Sequence, residues 1–205
     1  FFNPERRSQV NVVPGLTAII LTMTMILFTS AALVRDREQG NMELLITTPI
    51  HPQGLMFGKL VPYIFVGIVQ ITIILGLGRL IFDVPLHGRF ADLAVITLAF
   101  IGASLTLGLL ISTVARTQMQ AMQMTVFILL PSILLSGFMF PYDAMPRLAQ
   151  YIAELLPATH FIRLIRGVYL RGAEASQLLP DILWLLGFTV LMLVVATTRF
   201  QKTLD

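Results

Sequence analysis

The sequence predicts an all-α, polytopic integral membrane protein with about five transmembrane helices and a short re-entrant helical hairpin, in a single transmembrane domain over residues 1–205. The first observation behind this is composition. Charged residues make up 12% of the chain and hydrophobic residues 56%, whereas soluble domains carry roughly 25% charge. The mean hydropathy is +0.83, so most of the surface must face something other than water. The second is the placement of the charges. No Asp, Glu, Lys or Arg occurs between Val13 and Val34, Leu60 and Gly78, Leu93 and Ala115, Thr117 and Tyr142, or Ile182 and Thr198. Crossing a bilayer takes about 20 apolar residues, and all five runs lie in or close to that window. The third is that five such runs leave no polar layer able to bury them as core helices of a soluble protein.

The five helices are expected at about 13–34, 60–80, 93–115, 117–142 and 181–198. The first starts at Pro14, whose fixed φ suits a first helical position, and gives way after Val34 to the cluster Arg35-Asp36-Arg37-Glu38-Gln39-Gly40. In the following Asn41–Pro49, Met42, Leu45 and Ile46 share one face. That pattern predicts a short amphipathic surface helix, stopped by Pro49 and Pro52. The third helix carries Ser104, Gly108 and Ser112 at four-residue spacing. Such a stripe either lets a second helix approach closely or reflects the general frequency of small residues in membrane helices. The fourth contains Pro131, which predicts a kink.

Residues 143–177 form the hairpin. Met145, Leu148, Ala149, Ile152, Leu155 and Leu156 make one apolar stripe with Arg147, Gln150 and Glu154 opposite; after Pro157, Phe161, Leu164, Ile165, Val168 and Tyr169 make another. Each piece of about 12 residues would rise some 18 Å, too little to cross. The segment therefore either dips into the membrane and returns, or lies flat on its surface.

Other features bound the function. The net charge of +3 comes with no polybasic tail, so nucleic acid is not an expected partner. The lipid bilayer is. Cysteine is absent, which removes disulfides and thiol chemistry. Basic residues divide six against eight between the two sides, so charge does not set the orientation. The polar opening Asn3–Ser8 is not a signal peptide.

Catalytic motifs do not hold up. Gly54–Leu60 imitates a phosphate loop but is one residue short between glycines and has Leu60 where Ser or Thr should hold Mg²⁺. Gly102-Ala103-Ser104 lacks the second glycine of a nucleophile elbow, with Thr106 in its place. The three histidines show no metal-ligand spacing. No catalytic, cofactor-binding or metal-binding residues are assigned. None of the five runs holds an ionisable group of the kind that ion-coupled transport uses, so energy for any transport is expected from elsewhere.

Two stretches resemble the permease subunits of ABC-2 type exporters. Arg35-Asp36-Arg37-Glu38-Gln39-Gly40-Asn41-Met42-Glu43-Leu44-Leu45-Ile46-Thr47-Thr48-Pro49 is similar to that family's charged motif after its second transmembrane helix, with Asp36, Asn41, Met42 and Thr47 as departures. Leu135-Ser136-Gly137-Phe138-Met139-Phe140-Pro141, Met145-Pro146, Leu156–Phe161 and Arg166-Gly167 resemble the end of its fifth helix and its extracytoplasmic hairpin. Phe2–Ser8 resembles the stretch before the second helix.

The resemblance implies a membrane permease of an ATP-driven exporter, in the bacterial cytoplasmic membrane, working as a homo- or heterodimer of permease subunits. It implies that ATP is bound by a separate ATP-binding subunit and not by this chain, and that an N-terminal helix and an extracytoplasmic domain precede Phe1. It makes residues 35–52 the coupling segment, with Arg35, Arg37, Glu38, Gly40, Met42, Glu43, Leu45 and Pro49 meeting the ATPase. It makes residues 143–177 a gate, with Gly137, Pro141, Pro146, Pro157 and Arg166 shaping it. A self-contained secondary transporter or channel is the alternative, and a membrane scaffold or intramembrane enzyme the third reading.

Overall fold

The computed structural model describes residues 4–39, 52–82 and 88–201. The described residues are helical apart from short turns: α1 is Pro4–Glu38, α2 Pro52–Phe82, α3 Phe90–Val114, α4 Gln118–Leu135, α5 Arg147–Glu154, α6 Pro157–Arg171 and α7 Leu179–Gln201. Five of these, α1 to α4 and α7, contain stretches long and apolar enough to cross a membrane. The protein is a multi-pass membrane protein.

The ends differ from the sequence expectation in instructive ways. Pro14 does not open α1; it lies inside it. A proline costs one backbone hydrogen bond, and neighbouring helices in a membrane bundle can compensate for that loss. α1 also runs past Val34, so that Arg35 and Arg37 occupy its last turn, where cations favour the negative end of the helix dipole. Pro52 stands at the first position of α2; the amphipathic helix expected before it lies outside the described residues. α4 closes at Leu135, short of residue 142, although Pro131 leaves its interior continuous. Thr117 caps its start by accepting from the Gln120 amide, and Gln120 reaches back to the Arg116 N–H. This reciprocal pair explains why three residues suffice to turn the chain.

α3 is the central helix. Its best spanning window is 67% buried, against 17% for α4 and α7, and it packs on α1, α2, α6 and α7. The small-residue stripe is what admits α1. Ser104 and Ser112 are buried, and a Cβ at Gly108 would stand 3.0 Å from the Ile26 carbonyl oxygen. Buried hydroxyls of Thr17, Thr22 and Thr125 donate to carbonyls four residues back, which satisfies them without water. Between helices, Thr24 on α1 donates to the Gln70 side-chain carbonyl on α2 at 2.7 Å, a polar tie inside the apolar region.

α5 and α6 rise about 12 and 22 Å, less than the roughly 30 Å of a hydrocarbon core. α6 is nonetheless a core element. Phe161, Ile162, Leu164, Ile165 and Val168 are buried in one cluster with residues of α1, α2, α3 and α7. The Phe161 ring stacks on Phe100 of α3, 4.0 Å between centroids.

Candidate functional site

The helices run alternately, so the bundle has two ends, and each end gathers one of the two sequence motifs.

At the motif end, the last turn of α1 is tied to three neighbours. Asp36 forms an ion pair with Lys59 of α2. The carboxylate of Glu38 accepts from both the backbone N–H of Gln118, at 3.1 Å, and its side-chain amide, at 2.8 Å. The Arg37 guanidinium reaches the Ala115 carbonyl at 3.5 Å, where α3 ends. Between α1 and α2, Phe28, Arg35, Asp36, Lys59, Tyr63 and Gln118 help line a cleft of about 570 Å³. Arg35 and Glu38 remain exposed. Of the expected coupling residues, Arg35, Arg37 and Glu38 therefore lie on a helical turn braced from three sides. Gly40, Met42, Glu43, Leu45 and Pro49 lie outside the described residues. Asp36 and Lys59 escaped the sequence reading because their partnership spans 23 positions, and nothing local marks it.

At the opposite end, α4 gives way to the hairpin. Ser136 closes the helix and Gly137 takes φ +83°, a left-handed conformation that other residues rarely adopt. This turn lays the Phe138 ring over α1 at Gly15, where a Cβ would come within 2.1 Å of the ring. Pro141 then precedes a single 3₁₀ turn, Tyr142–Ala144. The Gln150 side chain donates to the Tyr142 and Met145 carbonyls, both at 3.2 Å, and holds that turn against α5. Pro146 precedes α5, and buried Pro157 starts α6 after a two-residue connection. The prolines thus stand at element starts, where a missing N–H costs nothing.

The two apolar stripes of the hairpin behave differently. That of α6 faces the core as its spacing predicts. That of α5 is turned outward: Leu148, Ile152 and Leu155 are exposed, and Ala153 is the buried residue of this helix. The opposite face carries Glu154. Its carboxylate forms a two-pronged pair with Arg163 of α6, one prong at 3.1 Å. Arg163 lies over the Tyr142 ring, 4.5 Å from its centroid. His160, 4% exposed, sits beside this pair. Its Nδ1 lies 2.7 Å from an Asp181 carboxylate oxygen of α7, and its Nε2 lies 3.0 Å from the Glu154 carbonyl. The imidazole stacks on Trp184 at 3.9 Å. α5 thus turns its apolar stripe outward and its charged face, through Glu154, toward α6.

The electrostatics follow from this geometry. The Arg163 hydrogen bonds hold the Glu154 carboxyl below its ordinary value, against an opposing effect of partial burial, and Glu154 in turn raises the Arg163 guanidinium. Burial lowers Arg166, whose Nε has no hydrogen-bond partner among the described residues. Asp181 is the hairpin's anchor on α7. The sequence showed Glu154, His160, Arg163 and Asp181 one by one, and only the folding of α5 back along α6 assembles them.

The described residues hold no cluster of three or more His, Asp or Glu side chains fit for a metal ion. What the arrangement can do is mechanical: one end is a braced, charged face, and the other a short hairpin clasped to the bundle.

The family model described as "ABC-2 type transporter" matches residues 1–170. The chain is 33% identical over 206 residues to the probable multidrug ABC transporter permease YbhS of Escherichia coli K12, covering all of this chain and 55% of that protein. It is 34% identical over 199 residues to the probable multidrug ABC transporter permease YbhR of the same strain, covering 97% of this chain and 52% of that protein. It is 28% identical over 210 residues to ABC transporter G family member 20 of Dictyostelium discoideum, covering 98% of this chain and 28% of that protein. The chain spans about half the length of the Escherichia coli relatives it matches.

Proposed function

The chain belongs to the ABC-2 type transporter family, and on that premise we propose that it forms the translocation path of an ATP-driven exporter and takes its energy from a separate ATP-binding subunit. The observation that carries this reading is the bracing of the α1 terminus. A load applied to the chain after Glu38 reaches α2 through Asp36–Lys59 and α4 through Glu38–Gln118. Movement of one docked segment would then shift three spans together, as a rigid-body transition requires. The surface segment 35–52, with Gly40, Met42, Glu43, Leu45 and Pro49, is the part of this unit that meets the ATPase.

The cargo in this reading is an amphipathic or drug-like molecule, in keeping with the names of the Escherichia coli relatives. The transporter is a dimer of permease subunits in a bacterial cytoplasmic membrane. Its hairpin end faces away from the ATPase and gates the exit. Neither subunit of this chain's type would bind ATP itself.

The test is to uncouple the complex without unfolding it. Glu43→Arg and Gly40→Pro should abolish stimulation of the partner ATPase and export, while the permease melts as the wild type does. Reversing one charge at a docking face acts chiefly on association. Wild-type stimulation and export in both variants would remove the coupling role from this segment.

A further inference from the structure

A groove lies between α2 and α3. It has a volume of about 450 Å³, within the roughly 300–1,000 Å³ typical of small-ligand sites. Its α2 wall is Ile68, Ile71, Thr72, Leu75 and Gly76, residues three and four apart on one helix face; its α3 wall includes Leu93, Ala94 and Leu98. From Ile68 to Arg79 the α2 wall rises about 16 Å, about half the roughly 30 Å hydrocarbon thickness. The groove therefore runs along one leaflet.

Its mouth is charged. Arg79, in the last turn of α2, lines the groove at the level where α3 begins with Phe90. Arg79 is exposed and makes no ion pair among the described residues. The neighbouring Arg89 does, with Glu174, and Asp92 is not among the groove's lining residues. An apolar channel one leaflet long, headed by a cation that makes no ion pair among the described residues, matches an acyl chain with an anionic headgroup. An arginine that merely marks the bilayer boundary would need no channel beneath it.

We propose that the α2–α3 groove holds one anionic phospholipid, with an acyl chain along Ile68–Gly76 and the phosphate at Arg79. The site is separate from the coupling end and from the hairpin clasp, and it does not depend on the transport reading. Gly76 makes the proposal testable. A Cβ there would meet nothing within 4 Å, so a side chain at this position starts in open space on the groove wall.

The experiment is native mass spectrometry of the intact permease in detergent, given equal amounts of phosphatidylglycerol and phosphatidylcholine. The wild type should retain one phosphatidylglycerol per chain in preference to phosphatidylcholine. Arg79→Gln, a surface change, should reduce that preference about fivefold, the scale of one basic side chain against an anionic lipid. Gly76→Phe should abolish retention of both lipids. Equal retention of the two lipids by the wild type, or full retention by either variant, would overturn the proposal. So would oxidative cross-linking of Gly76→Cys between two copies in membranes, since a second chain would then occupy the groove.

Discussion

His160 of α6 and Asp181 of α7 meet at the base of the hairpin with Nδ1 and Oδ1 2.7 Å apart, and the same imidazole lies flat on Trp184. One buried side chain thus joins the hairpin to the last span by a polar contact and a stacked one. Asp181→Ala should lower stability by about 2 kcal/mol, the scale of a lost hydrogen bond to a charged group. Thermal unfolding in detergent measures this. His160→Ala should cost more, because the stack on Trp184 is lost as well. Unchanged midpoints for both would make the contact incidental to the fold.

Glu154 gives the hairpin a defined response to acid. Arg163 holds its carboxyl below the ordinary value of 4.5, so the folded state binds this proton less readily than the unfolded chain. The stability it contributes is fully present above the unfolded value and is lost as pH falls through the folded one. Melting midpoints of the wild type should therefore fall as pH drops below 4.5, and those of Glu154→Gln should fall less. Parallel curves for the two proteins would contradict the pairing.

Gly137 supports the turn that releases the chain from α4. Its φ of +83° is strained for any side chain, while the space around it is empty. Gly137→Ala should therefore cost about 1–2 kcal/mol from backbone conformation alone. Gly137→Asn should cost less, since Asn tolerates the left-handed region better. Equal midpoints for Ala and Asn variants would indicate that the turn relaxes to another conformation.

Topology can be read with single cysteines, because the chain has none of its own. Arg147, at the start of α5, and Arg171, at the end of α6, should react with an impermeant thiol reagent from the same side. Arg116, between α3 and α4, should react from the other. Labelling of Arg147→Cys and Arg171→Cys from opposite sides would mean that the hairpin segment crosses the bilayer.

The spans were legible because charge exclusion over about 20 residues is a local property that lipid imposes directly. The α6 stripe was legible for the same reason: Phe161, Leu164, Ile165 and Val168 have one environment to seek, and they are buried in it. Helix ends were less so. Whether Pro14 opens a helix or sits inside one depends on packing around it. The orientation of α5 was not legible. Its stripe leaves Leu148 and Ile152 exposed while Glu154 meets Arg163, and spacing alone does not say which environment the stripe seeks. The braces Asp36–Lys59 and Glu38–Gln118 join positions 23 and 80 apart, a relation that no periodicity encodes.

The central claim is that this chain moves cargo only when an ATP-binding subunit drives it. The direct measurement is uptake into inverted vesicles holding the full-length permease with and without its ATP-binding partner, using a fluorescent amphipathic dye. The account predicts accumulation against a gradient only with the partner and ATP, abolished when the partner cannot hydrolyse ATP. Concentrative uptake by the permease alone, driven by a proton or sodium gradient, would contradict it.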